Sequence, residues 1–122
     1  MADEPVTESS SILDTIKKML NLSSDYTAFD TEIIVHINSV IFTLNQLGVG
    51  KQGFSITDNS QTWEDYLGDT KNLEAVKTCM YMKVRVIFDP PSPSAVLESF
   101  NKQISEWEWR LQVHTDESED KE

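Results

Sequence analysis

Apolar residues recur at steps of three and four along most of the chain, a spacing that predicts helices. Over residues 11–20, Ile12, Leu13, Ile16, Met19 and Leu20 share one face. Asp14 stands in the first turn and Lys17 and Lys18 in the last, which complements the helix dipole. A polar stretch follows, with Tyr26 and Phe29 as anchors. Asp30 then reads as an N-cap with Glu32 in the first turn. The helix it opens, over residues 31–47, carries Ile33, Ile34, Ile37, Val40, Ile41, Leu44 and Leu47, and Val35 and Phe42 widen the stripe. A helix apolar on most of its circumference is central, or shared between subunits. Gly48 is placed to end it in the left-handed conformation.

The pattern changes over residues 48–60. Gly48, Gly50 and Gly53 lead into FSITDNS, where Phe54 and Ile56 alternate with polar neighbours. This predicts a glycine-rich loop with a short extended segment. Thr62 and Asp65 have capping-box spacing for a short helical turn, WEDYL, which Gly68 would end. Asp69 or Thr70 opens the next helix, to about Phe88, with Leu73, Val76, Met80, Val84 and Ile87 as its stripe; Cys79, Met82, Val86 and Phe88 widen it. In FDPPSP, Asp89 precedes a proline and must leave the helical region. Ser92 followed by Pro93 matches an N-cap with proline at the first helical position. The last helix, over residues 93–113, carries Leu97, Phe100, Ile104, Trp107 and Leu111 as a narrow seam that must pack on the earlier helices. The proline cluster is therefore a hinge inside one domain, flanked by Phe88 and Phe100. The expected fold class is all-α: a small bundle of about four to five helices with one glycine-rich loop.

Charge divides the chain further. The net charge is −11, from 21 acids and 10 bases. Residues 1–10 hold Asp3, Glu4 and Glu8; residues 114–122 hold five acids and one lysine. Both ends are expected to be disordered acidic segments around a single helical domain over residues 11–113. This balance disfavours binding to nucleic-acid phosphates, which takes clustered lysine and arginine. No apolar run is long enough to span a membrane, and the acidic start is unlike a secretory signal. Cys79 is the only cysteine, so an intrachain disulfide is excluded, which suits a reducing compartment.

No arrangement for chemistry emerges. His36 and His114 lack further ligands at metal-site spacing. Cys79 is mid-helix on an apolar side and reads as an inert buried thiol. Glu64, Asp65 and Asp69, like Glu106 and Glu108, read as a solvated face. GVGKQG lacks the helix and hydroxyl of a phosphate loop. The chain is not expected to be an enzyme, to bind a metal or to need a cofactor. Interaction residues are more legible. Trp107 and Trp109 are two apart, so on a helix they point about 200° apart. With Trp107 in the seam, Trp109 faces outward, beside Arg110. Phe54 and Ile56 sit on the glycine-flanked loop. These four, Phe54, Ile56, Trp109 and Arg110, are the candidate interface residues.

Two long runs also resemble a known family. ILDTIKKMLNLSSDYTAFDTEIIVHINSVIFTLNQLGVG and EAVKTCMYMKVRVIFDPPSPSAVLESFNKQISEWEWRL are similar to the small head–tail connector, or adaptor, proteins of tailed double-stranded DNA bacteriophages. The likeness covers residues 12–111 and lies in the order of elements and in composition. It leaves out the first residues and the acidic tail. It implies a structural virion protein that assembles with itself as a ring, dodecameric in the virion, below the portal protein. Such a ring extends the DNA channel and offers a surface to the next head-completion or tail protein. DNA passes through without sequence-specific binding, no membrane is involved, and assembly takes place in the host cytoplasm. An acidic channel wall would repel phosphate and leave DNA free to slide. The alternative from a different class is an acidic helical binding module or inhibitor acting as a monomer.

Overall fold

The computed structural model describes residues 10–68 and 72–120, with side chains to Val113. It is a small all-α bundle: α1 (Ile12–Met19), α2 (Asp30–Gln46), α3 (Trp63–Leu67), α4 (Leu73–Phe88) and α5 (Ser94–Asp120). Residues 1–9 of the expected acidic N-terminal segment, and Asp69 and Thr70 as the expected opening of the fourth helix, lie outside the described residues.

Local chemistry explains most of the boundaries. Ser11 caps α1 by accepting the Asp14 amide at 3.1 Å. Thr62 and Asp65 form the expected capping box, each side chain accepting the other's amide at 3.0 and 3.1 Å. Gly48, at φ +89, ends α2. The Val49 amide reaches the Leu44 carbonyl at 2.9 Å and the Gly48 amide reaches Asn45 at 3.0 Å. That pair of bonds satisfies carbonyls the helix end would otherwise orphan. Asp89 stops α4 at φ −153 and ψ 71, outside the helical region, as the following proline requires.

Two ends differ from expectation. Asp30 is the first helical residue and not the cap; Phe29 takes the cap position with no side-chain bond. The Asp30 carboxylate is drawn instead to Lys17. Pro93 stands just before α5, which begins at Ser94, with the Val96 and Leu97 amides both bonded to its carbonyl. α5 runs on to Asp120, beyond Val113, where the sequence predicts its end, and beyond Leu111, the last residue of its apolar seam.

The core lies where α1, α2 and α4 meet. Ile12 and Ile16 from α1, Ile33, Ile37, Ile41 and Leu44 from α2, and Val76, Met80 and Val84 from α4 are all fully buried in it. Each such side chain contributes roughly 1.5–3 kcal/mol over its exposed state. α3 adds Trp63 and Tyr66 from one side. Trp63 donates its indole N–H to Thr15 Oγ1 at 3.0 Å, and an isolated antiparallel bridge joins Ser11 to Thr62. These contacts fasten α3 across the start of α1. α5 packs mainly on α4, and its seam is only half covered. Leu111 is buried, whereas Leu97, Phe100, Ile104 and Trp107 remain partly exposed.

Candidate assembly surfaces

The glycine-rich loop is not the free apolar tip that its alternation suggests. α2 carries Asn38 and Asn45 seven positions apart, and each grips the loop. Asn38 Nδ2 donates to the Ile56 carbonyl at 3.0 Å, and Asn38 Oδ1 accepts the Ile56 amide at 2.8 Å. One side-chain amide thus completes both backbone groups of Ile56, as a neighbouring strand would. Asn45 Nδ2 donates to the Val49 carbonyl at 2.9 Å, and its Oδ1 accepts the Gly53 amide at 3.1 Å. Held this way, Ile56 is buried in the chain's own core. Phe54 is half-buried and stacks on Tyr66 with centroids 5.1 Å apart. The exposed positions of the loop after Val49 carry no apolar side chain: Lys51, Gln52, Gly53, Ser55 and the run from Thr57 to Ser60. Asp58 there accepts the Ser60 hydroxyl at 2.6 Å and the Ser60 amide at 2.8 Å. Those two bonds hold its carboxyl below the usual range.

The outer face of α5 does match the helical-wheel argument. Trp109 is 64% exposed, whereas Trp107 packs against the core. Arg110 is exposed and turns its guanidinium over the Trp107 ring, 5.6 Å from the centroid. Arg110 is thus engaged by a cation–π contact, and Trp109 stands uncovered beside it.

A second apolar surface lies on α2 and α4. Val35 is 59% exposed and Phe42 is 65% exposed, two turns apart on α2. Ser39 lies between them on that stripe and also lines a groove of about 250 Å³. The groove runs between α2, α4 and α5, with Val40, Val86, Ile87 and Ile104 among its walls. Ile87, expected to face inward, is more than half exposed at its edge. Lys83 also lines the groove and is paired with Glu108 across the α4–α5 contact. The sequence marked Val35 and Phe42 only as a widening of the central stripe. The wide helix was the signal, and what it meant was an outward apolar face.

Cys79 is fully buried, and its pKa is pushed up to about 11, first by burial and then by Glu108. Such a thiol is not a nucleophile at neutral pH. His36 is near Glu32, its Nε2 3.4 Å from the carboxylate, while the His114 side chain lies outside those described. Glu108 is taken by Lys83 and Asp65 by the capping box. Among the described residues no three His, Cys, Asp or Glu side chains gather into a metal-binding group, and no helix is long and apolar enough to cross a membrane.

No curated protein and no solved structure matches the chain. A family model described as phage connector protein matches residues 12–118. The match starts at the first residue of α1 and extends past Leu111 into the acidic end of α5. With nearly all of the helical body under that one description, the chain belongs to the phage connector protein family.

Proposed function

We propose that this connector assembles as a ring, dodecameric in the virion, beneath the portal protein, where it extends the DNA channel and carries the next head-completion or tail protein. Its work is structural, residues 11–113 act as one connector domain, and the acidic ends are appendages to it. The observation that carries this reading is the apolar surface left outside the bundle: Val35 and Phe42 beside an open groove on one face, and Trp109 on another. Two separate apolar surfaces on one small chain suit contacts with two different neighbours, as a closed ring on a portal requires. Trp109, with Arg110 beside it, is the anchor proposed for one contact; Phe54 contributes only its exposed edge, and Ile56 acts through the position it gives the loop. The net charge of −11 suits a channel wall to which DNA does not adhere.

Electron microscopy of the protein mixed with portal rings tests the proposal. Extra ring density below the portal is expected. A protein that stays monomeric with portal present, at concentrations well above those of assembly, would sink it. Light scattering on the same mixture separates the ring from a monomeric acidic inhibitor.

A further inference from the structure

The loop between α2 and α3 is fixed at both ends and lightly held between them. Val49 and Ile56 are core residues, while residues 50–55 are all half-buried or exposed. The Val49 amide is bonded into the end of α2, and Ile56 has both backbone groups on Asn38. Between these anchors, three bonds tie the segment to the rest of the chain. The Lys51 amide donates to the Tyr66 carbonyl at 2.8 Å, the Gly53 amide to Asn45 Oδ1 at 3.1 Å, and Gln52 Nε2 to the Asn45 carbonyl at 3.2 Å. The last two are exposed, so water competes for them directly. Gly50 and Gly53 have φ of +82 and +77, and glycine moves between left- and right-handed backbone at little cost.

Tyr66 lies beneath this segment. A Cβ on Gly50 would fall 2.2 Å from Tyr66 Cε1 and 2.7 Å from Cζ, the carbon that bears the hydroxyl. Gly50 therefore lies directly on the phenol end of the ring, and Phe54 stacks on the same ring. The Tyr66 hydroxyl is buried and has no hydrogen-bond partner among the described residues. A buried hydroxyl without a partner penalises the closed arrangement, and the penalty vanishes when water reaches it.

We propose that residues 50–55 form a strap that opens as a unit on the freedom of Gly50 and Gly53, lifting Phe54 off the Tyr66 ring and wetting the Tyr66 hydroxyl, while Asn38 keeps Ile56 in the core. The two rings, stacked on each other in the closed form, then present apolar faces that exist only in the open form. The device resides in the monomer and does not depend on ring assembly.

Amide hydrogen exchange on the full chain at increasing, sub-denaturing urea tests this. The Lys51 and Gly53 amides are expected to exchange through an opening that urea scarcely changes, while the Ile56 amide follows global unfolding. Tyr66→Phe removes the unpaired hydroxyl and should slow Lys51 exchange by about tenfold relative to Ile56. Gly53→Ala, at a site with no atom within 4 Å of the added carbon, should speed it, because only the backbone conformation resists alanine there. Lys51 and Ile56 amides sharing one urea dependence would overturn the strap. So would a Tyr66→Phe chain whose Lys51 amide exchanges as fast as before.

Discussion

Lys17 Nζ stands 2.8 Å from Asp30 Oδ1, joining the last turn of α1 to the first turn of α2 across the intervening loop. The lysine is 1% exposed and donates a further bond to the Ser24 carbonyl at 3.1 Å. The pair is therefore unequal: the cation is fully buried, while the anion keeps about a quarter of its surface in water, with its Oδ1 buried. Removing the anion leaves a buried charge with one neutral acceptor. Asp30→Ala should lower stability by about 3–5 kcal/mol in urea unfolding. Lys17→Met should cost less, because the carboxylate it frees can turn to water. Equal losses for the two variants would show that the burial asymmetry does not govern the energetics.

Asn38 should be as sensitive as a core residue. Asn38→Ala deprives Ile56 of both its amide and its carbonyl partner. Each lost partner of a buried group costs about 1–3 kcal/mol. The expected loss is about 2–4 kcal/mol by denaturant unfolding, with the Ile56 amide losing its protection from exchange. Asn38→Asp keeps an acceptor for the Ile56 amide and should fall between wild type and alanine.

How far the sequence reached can be judged from these residues. The helices, the capping box and the stop at Asp89 were legible, because spacing, short-range hydrogen bonding and proline geometry are local. Trp109 was legible for a similar reason: it stands two positions along the helix from an inward Trp107. Lys17 was not. Lysine in a last turn suits the helix dipole and normally points to water; only the folded turn brings Asp30 within reach. Ile56 misled because alternation does not say which way an apolar residue turns, and its anchor is 18 residues away. The signal was two asparagines, Asn38 and Asn45, at heptad spacing on a helix with a wide apolar stripe. Ile87 misled because the α4 stripe keeps its period beyond the point where neighbouring helices cover it.

Stability should fall on the alkaline side. Burial raises the Cys79 thiol from 9.0 to about 11, so the folded state favours the neutral form. Its contribution is fully present below pH 9 and is lost as pH rises toward 11. Within that window the slope is about 1.4 kcal/mol per pH unit for one proton. Tyr66, also raised by burial, adds to the loss above pH 10. Urea midpoints measured between pH 8 and pH 10 should decline in the wild type. Cys79→Ala should start lower, because of the cavity it opens, and stay flat up to pH 10. An alanine variant with the wild-type slope would assign the decline to another group.

Trp109 separates folding from assembly. Its ring is 64% exposed and makes no aromatic or cation–π contact among the described residues, whereas Trp107 supports the α5 seam and carries Arg110. Trp109→Ala should therefore leave the thermal midpoint unchanged, with a stability difference within about 0.5 kcal/mol. Trp107→Ala should destabilise the monomer by about 3 kcal/mol or less, since the ring is only partly buried. If Trp109 anchors a contact to a second copy or to the portal, its removal should weaken assembly by about 2 kcal/mol, a thirtyfold rise in the concentration at which rings form. Circular-dichroism melts and sedimentation with portal rings measure the two quantities separately. A Trp109→Ala chain that melts early would place the side chain in the fold. A chain that melts normally and still assembles at the wild-type concentration would move the contact elsewhere, to the Phe42 face of α2, where Phe42→Ala is the corresponding measurement.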